Sequence, residues 1–189
     1  MKEFISRIGK NTLEDLAGVI CNLSGYSDST IDYPSFDKVK KDNGIPAEWF
    51  YSATNGNVNF SELSAIHMYV QQEAIFEEIG ELMLGIGIVE MHHYGKLNDF
   101  VRKLGGKITQ TFKTTAVEVG SSIPDALKIA ISGEKATIDE YERILNKVSN
   151  VGESKTTEIA LQLLNKLIAD ERKHIELLTT KLKEYEQPE

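Results

Sequence analysis

The sequence predicts an all-α fold: a four-helix bundle with one long crossover, preceded by a small N-terminal helical appendage. Three observations predict it. From Phe60 onward, apolar residues recur with a helical period through nearly every stretch. The breaks between those stretches come in the order short, long, short. One arrangement of glutamate, tyrosine and histidine also occurs twice, once in each half of the periodic region. A chain of 189 residues is one domain, or one domain with an appendage, and can bury a full core.

The first 58 residues read differently from the rest. Residues 12–23 place Leu13, Leu16, Val19, Ile20 and Leu23 at helical spacing, with Asn11 or Thr12 as the cap. Beyond this helix the chain is broken up by a turn-rich piece over 25–35, then by Pro46 and by Asn55-Gly56-Asn57. Residues 1–58 are therefore expected to form the appendage, packed through Phe36, Trp49, Phe50 and Tyr51 and carrying no chemistry of its own. The bundle is expected over 59–189.

Ser61 is placed to cap a first helix carrying Leu63, Ile66, Tyr69, Val70 and Ile75. Glu77, Glu78 and Gly80 mark a turn, and a second helix runs from there to a stop at Gly105-Gly106. Residues 107–122 are rich in threonine and valine without a helical period and read as an extended connection. Pro124 suits the first turn of a third helix reaching about Ser149. Asn150-Val151-Gly152 breaks the pattern, and a fourth helix covers about 154–185. A helix of about 26 residues is roughly 39 Å long, and the connection reaches roughly 50 Å when extended, so it can cross the bundle and set the second and third helices parallel.

Composition narrows the setting. A net charge of −8 and a pI near 5.1 exclude a general nucleic-acid surface, which needs a basic footprint. The longest apolar run, over 79–91, is interrupted by Glu81 and Glu90 and is too short to span a membrane. The first residues lack the apolar segment of a signal peptide, so a cytoplasmic location is expected. Cys21 is the only cysteine, which excludes an intrachain disulfide and any cysteine-based metal knuckle and suits a small apolar packing role.

The repeated arrangement carries the chemistry. Glu90 and His93 stand three residues apart, as do Glu171 and His174, so each pair shares a helix face. Upstream of each pair lies E-x-x-x-I-x-x-Y, as Glu62 with Ile66 and Tyr69, and again as Glu134 with Ile138 and Tyr141. The order Glu, E-x-x-H, Glu, E-x-x-H on four helices points to a two-metal site built from Glu62, Glu90, His93, Glu134, Glu171 and His174. Four carboxylates balance two divalent ions, which would otherwise repel strongly in a low-dielectric core. Ile86, Ile88, Ile131 and Leu167 are placed to keep such a site dry. Glu140 is a rival to Glu134 that the Tyr69/Tyr141 symmetry disfavours. His92 and His67 fall outside the pattern. Asp170 stands four residues before His174 and can orient that imidazole, although the first repeat has Val89 at the matching place. Glu73, Glu77, Glu78 and Glu81 read as a solvated end.

These residues resemble the signature of the ferritin-like di-metal carboxylate superfamily, over roughly residues 60–185. Within it, Glu62-Leu63 with Ala65, Tyr69 and Gln72 is similar to manganese catalases, and Gly133-Glu134 with Tyr141 is similar to rubrerythrins. The resemblance implies a ferritin-like bundle holding two iron or two manganese ions, with Tyr69 and Tyr141 hydrogen-bonding ligand carboxylates. It implies a redox protein consuming hydrogen peroxide, as a peroxidase or a catalase, with a ferroxidase or a non-catalytic structural bundle as alternatives. It also implies oxygen or peroxide as partner and a homodimer or higher homo-oligomer. The chain departs from rubrerythrin-type peroxidases in having Thr137 where they carry a further glutamate. With one cysteine it also has no rubredoxin iron, so peroxidase turnover needs an external electron donor.

Overall fold

The structure, a computed structural model, describes residues 23–41, 44–55, 61–108 and 117–186. The helix expected over 12–23, Cys21 within it, lies outside these up to residue 22, as does the middle of the long connection. Among the described residues there are five α-helices and no strand: α1 (Tyr51–Asn55), α2 (Glu62–Ile75), α3 (Gly80–Lys103), α4 (Ile123–Ser149) and α5 (Lys155–Glu186). No helix among them is long and apolar enough to cross a membrane.

The helix limits follow local chemistry. Ser61 takes the extended backbone of an N-cap before α2. α3 ends where Gly106 N–H bonds back to the Val101 carbonyl, with Gly105 at φ 90° supplying the left-handed residue that this closure requires. The Ser122 hydroxyl accepts from the Asp125 N–H to cap α4, and Pro124 occupies its first turn. These ends match the expected turns. The first helix covers the stretch expected of it, and at 14 residues α2 is short beside the 24, 27 and 32 of α3, α4 and α5.

The apolar core falls into two clusters. One gathers Met68, Tyr69, Met83, Ile86, Leu127, Ala130, Leu178 and Leu182. The other gathers Leu97, Phe100, Tyr141, Ile144, Val148, Leu163, Leu164 and Leu167. Going along α3, Met83 and Ile86 lie in the first cluster and Leu97 and Phe100 in the second, and α4 visits the clusters in the same order. α3 and α4 are therefore parallel, α5 runs against them, and residues 104–122 make the long crossover. α2 starts between the clusters and covers only the first. Its place over the second is taken by Ile45, Ala47, Phe50 and Ala53, with Phe50 edge-on to Phe100 at 5.2 Å.

Candidate metal centre

Between the two apolar clusters lies a layer of buried polar side chains supplied by all four bundle helices, α2 to α5. Glu62 is the first residue of α2, Glu90 and His93 come from α3, Glu134 from α4, and Glu171 and His174 from α5. All six are at most 2% exposed. Because α3 and α5 run oppositely, Glu90 stands level with His174 and Glu171 level with His93. His93 Nδ1 lies 3.2 Å from both Glu90 Oε2 and Glu171 Oε1 and 3.7 Å from Glu62 Oε2. His174 Nδ1 lies 2.9 Å from Glu90 Oε1, 3.0 Å from Glu171 Oε2 and 3.6 Å from Glu134 Oε1. The donor atoms form two overlapping sets that could each hold a metal ion, Glu62/Glu90/His93/Glu171 and Glu90/Glu134/Glu171/His174, with Glu90 and Glu171 in both.

The electrostatics suit cations. Among the described residues nothing donates a hydrogen bond to either Glu62 oxygen, to Glu90 Oε1 or to Glu171 Oε1, an expensive state for buried carboxylates. Burial, with Glu90 beside it, holds the Glu62 carboxyl well above the usual range. Burial, then Glu171 and Glu90, do the same to Glu134. Burial pushes Glu90 in the same direction, but His93, Glu62 and His174 outweigh it and hold Glu90 well below. Burial would lower both imidazoles, yet the groups facing them raise each well above its ordinary value, Tyr33, Glu171 and Glu90 around His93 and Glu134, Glu171 and Glu90 around His174. Four acids and two imidazole nitrogens aimed at one volume are thus relieved only by protons or by metal ions, and the residues fit two divalent ions.

The surrounding hydrogen bonds break the repeat's symmetry. Tyr69 donates across the bundle from α2 to Glu134 Oε1. Tyr141 is equally buried, but its hydroxyl has no partner among the described residues. Asp170 does not orient His174, as its spacing suggested. Its Oδ2 lies 3.1 Å from His93 Nε2, because the antiparallel helices put Asp170 level with His93. Three N-terminal residues missed by sequence reasoning also reach this carboxylate: Ser27, Asp28 and Tyr33. A local signal was present, since Lys166 stands four residues before Asp170 on an apolar face and pairs with it at 2.7 Å.

The rivals fall away from the centre. Glu140 pairs at the surface with Arg143 and Ser52. His67 and His92 are exposed, His92 stacking on Tyr33 at 4.7 Å. Thr137 turns its hydroxyl back to the Gly133 carbonyl. Ile86 and Leu167 are fully buried, while Ile88 and Ile131 are partly exposed. Glu77, Glu78 and Glu81 are exposed and Glu73 partly so.

The family model described as a ferritin-like domain matches residues 61–187. Among solved structures, a bacterioferritin of Rhodobacter capsulatus, described as having a metal-free dinuclear site and a heme iron, aligns with a TM-score of 0.65. The alignment covers 77% of this chain and 88% of that one at 22% identity, a likeness of fold. No curated protein sequence matches the chain.

Proposed function

Because the chain belongs to the ferritin-like domain family, we propose that it is a two-metal redox protein that consumes hydrogen peroxide, with Glu62, Glu90, His93, Glu134, Glu171 and His174 as the ligands. The observation that carries this reading is the pair of overlapping buried donor sets sharing Glu90 and Glu171. Two iron or two manganese ions, if held there, would supply one-electron redox chemistry toward peroxide or oxygen. The four carboxylates would balance the four positive charges, with Glu90 and Glu171 in both donor sets and Glu62 and Glu134 in one each. Tyr69 holds Glu134 by its hydroxyl. Ile86 and Leu167 wall off water. Peroxidase turnover draws electrons from an external donor, and catalase turnover draws them from a second peroxide.

A ferroxidase is the second reading, favoured by the bacterioferritin likeness. We place the chain in a homodimer or larger homo-oligomer, supported by Val70 and Ile75 on α2 and Met91 on α3, all exposed large apolar side chains. The deciding experiment measures metal identity and content of the native protein. It then compares oxygen release from peroxide, peroxide-dependent oxidation of a supplied reductant, and oxidation of ferrous iron, each against Glu90→Ala. Peroxide turnover lost in the variant supports the first reading. Ferrous oxidation alone supports the second, and under about one metal per chain overturns both.

A further inference from the structure

The N-terminal residues 26–36 form a strap along the seam between α3 and α5. Tyr26 lays its ring against α3 at Gly85, where a Cβ would overlap the ring, so only glycine leaves room. At the other end Phe36 packs on Phe100 at 5.3 Å. Between these anchors the strap passes the metal centre at Asp170. Asp170 Oδ1 accepts from Ser27 Oγ at 2.8 Å, Asp28 N–H at 2.6 Å and Lys166 Nζ at 2.7 Å. Asp170 Oδ2 accepts from Tyr33 Oη at 2.8 Å and faces His93 Nε2 at 3.1 Å. Lys166 Nζ also donates to Ser27 Oγ and to the Asp28 carbonyl, tying strap and carboxylate into one network.

A carboxylate only accepts, so Nε2 of His93 keeps a proton toward Asp170, and Nδ1 is the nitrogen that would give up its proton and present a lone pair when a metal ion binds. Among the described residues His174 has no such arrangement, and its Nε2 is buried without a partner. The repeat explains why: the residue preceding Glu171 is Asp170, and the residue preceding Glu90 is Val89. We propose that this strap is part of the metal centre, fixing His93 through Asp170 so that the Glu62/Glu90/His93/Glu171 set binds its ion more tightly than the Glu90/Glu134/Glu171/His174 set. Ser27 and Tyr33 are positioning residues, acting through Asp170. The inference rests on the two-metal reading, and partners of this kind change metal affinity by about 10–100-fold.

Manganese(II) titration of the full chain without oxygen, followed by calorimetry and by the electron spin resonance of free ion, tests it. Wild type is expected to fill in two steps about 10–100-fold apart. Tyr33→Phe keeps the ring on His92 but removes the hydroxyl, and Ser27→Ala removes a donor to the other oxygen. Each is expected to weaken the tight step about tenfold and leave the weak step in place. Nitrogen-15 spectra of the metal-free wild type should show the His93 Nε2 proton held toward Asp170 and exchanging slowly with water, and the variants should show it exchanging faster. Two equal steps in wild type, or variants that weaken both steps alike, would overturn the proposal. Wild type taking up no manganese and no ferrous iron would instead overturn the two-metal reading itself.

Discussion

Replacing Tyr69 and Tyr141 by phenylalanine, one at a time, tests whether the repeat's symmetry extends to its hydrogen bonds. Both rings are fully buried, so neither change alters solvent exposure of the core. Tyr69 donates to Glu134, and burial together with that neighbour holds its hydroxyl well above the ordinary pKa, keeping it a donor. Tyr69→Phe leaves a buried carboxyl oxygen without that partner, a loss of about 1–3 kcal/mol. At about 2–4 °C per kcal/mol for a chain of this size, the metal-free unfolding temperature should fall by roughly 2–12 °C. Tyr141 loses no hydrogen bond on the same change and sheds a buried, unpartnered hydroxyl. Its variant should therefore melt at the wild-type temperature or above. Circular dichroism melts in chelator measure both. Equal drops for the two variants would refute the asymmetry.

Three further outcomes rest on the same geometry. Glu62 belongs to one donor set and Glu90 to both, so Glu62→Ala should retain about half the wild-type metal per chain and Glu90→Ala nearly none, by elemental analysis after dialysis. The metal-free protein should lose stability as pH rises past the unfolded-state values, about 4.3 for glutamate and about 6.5 for histidine. Glu62, Glu134, His93 and His174 all have raised folded-state pKa values, so their contribution is full below the unfolded values near 4.3 and 6.5 and disappears as pH climbs through the folded ones. Metal affinity should rise over the same range, since the ligands must shed protons, and melts with and without metal that run parallel in pH would contradict this. Phe50→Ala opens a cavity beside Phe100 and should cost about 3–5 kcal/mol, read as a denaturant midpoint shift.

The helices and the six-residue cluster were legible because their signals are local. Helical period, the Pro124 start and the Gly105 stop each act within a few residues, and Glu90 with His93 or Glu171 with His174 share a face by spacing alone. What joins the two halves was not local. Asp170 and His174 do share a face, yet the antiparallel crossing of α3 and α5 sets His93 level with Asp170, a rotation and register that spacing along one helix cannot carry. The Tyr69/Tyr141 repeat is equally regular in sequence, but a hydrogen bond depends on where the opposite helix places its carboxylate. The strap was the hardest to see. Ser27, Asp28 and Tyr33 sit in a turn-rich stretch without periodicity, and their partner lies more than 130 residues away.

The short first helix links these departures. Because α2 begins at Glu62, that carboxylate sits in a helix first turn, where the dipole favours its anionic form by about 0.3–1 kcal/mol. Ending the helix there leaves the Leu97–Phe100 side of the core uncovered, and Ile45, Ala47, Phe50 and Ala53 close it. The chain that supplies these residues must first cross the α3/α5 seam, and residues 26–36 do so with Tyr26, Tyr33 and Phe36 as anchors. The same N-terminal region therefore completes one half of the core and grips the carboxylate behind His93. Two halves that share one motif in sequence are made unequal at the polar layer between them, where His93 Nε2 has a fixed partner and His174 Nε2 has none among the described residues.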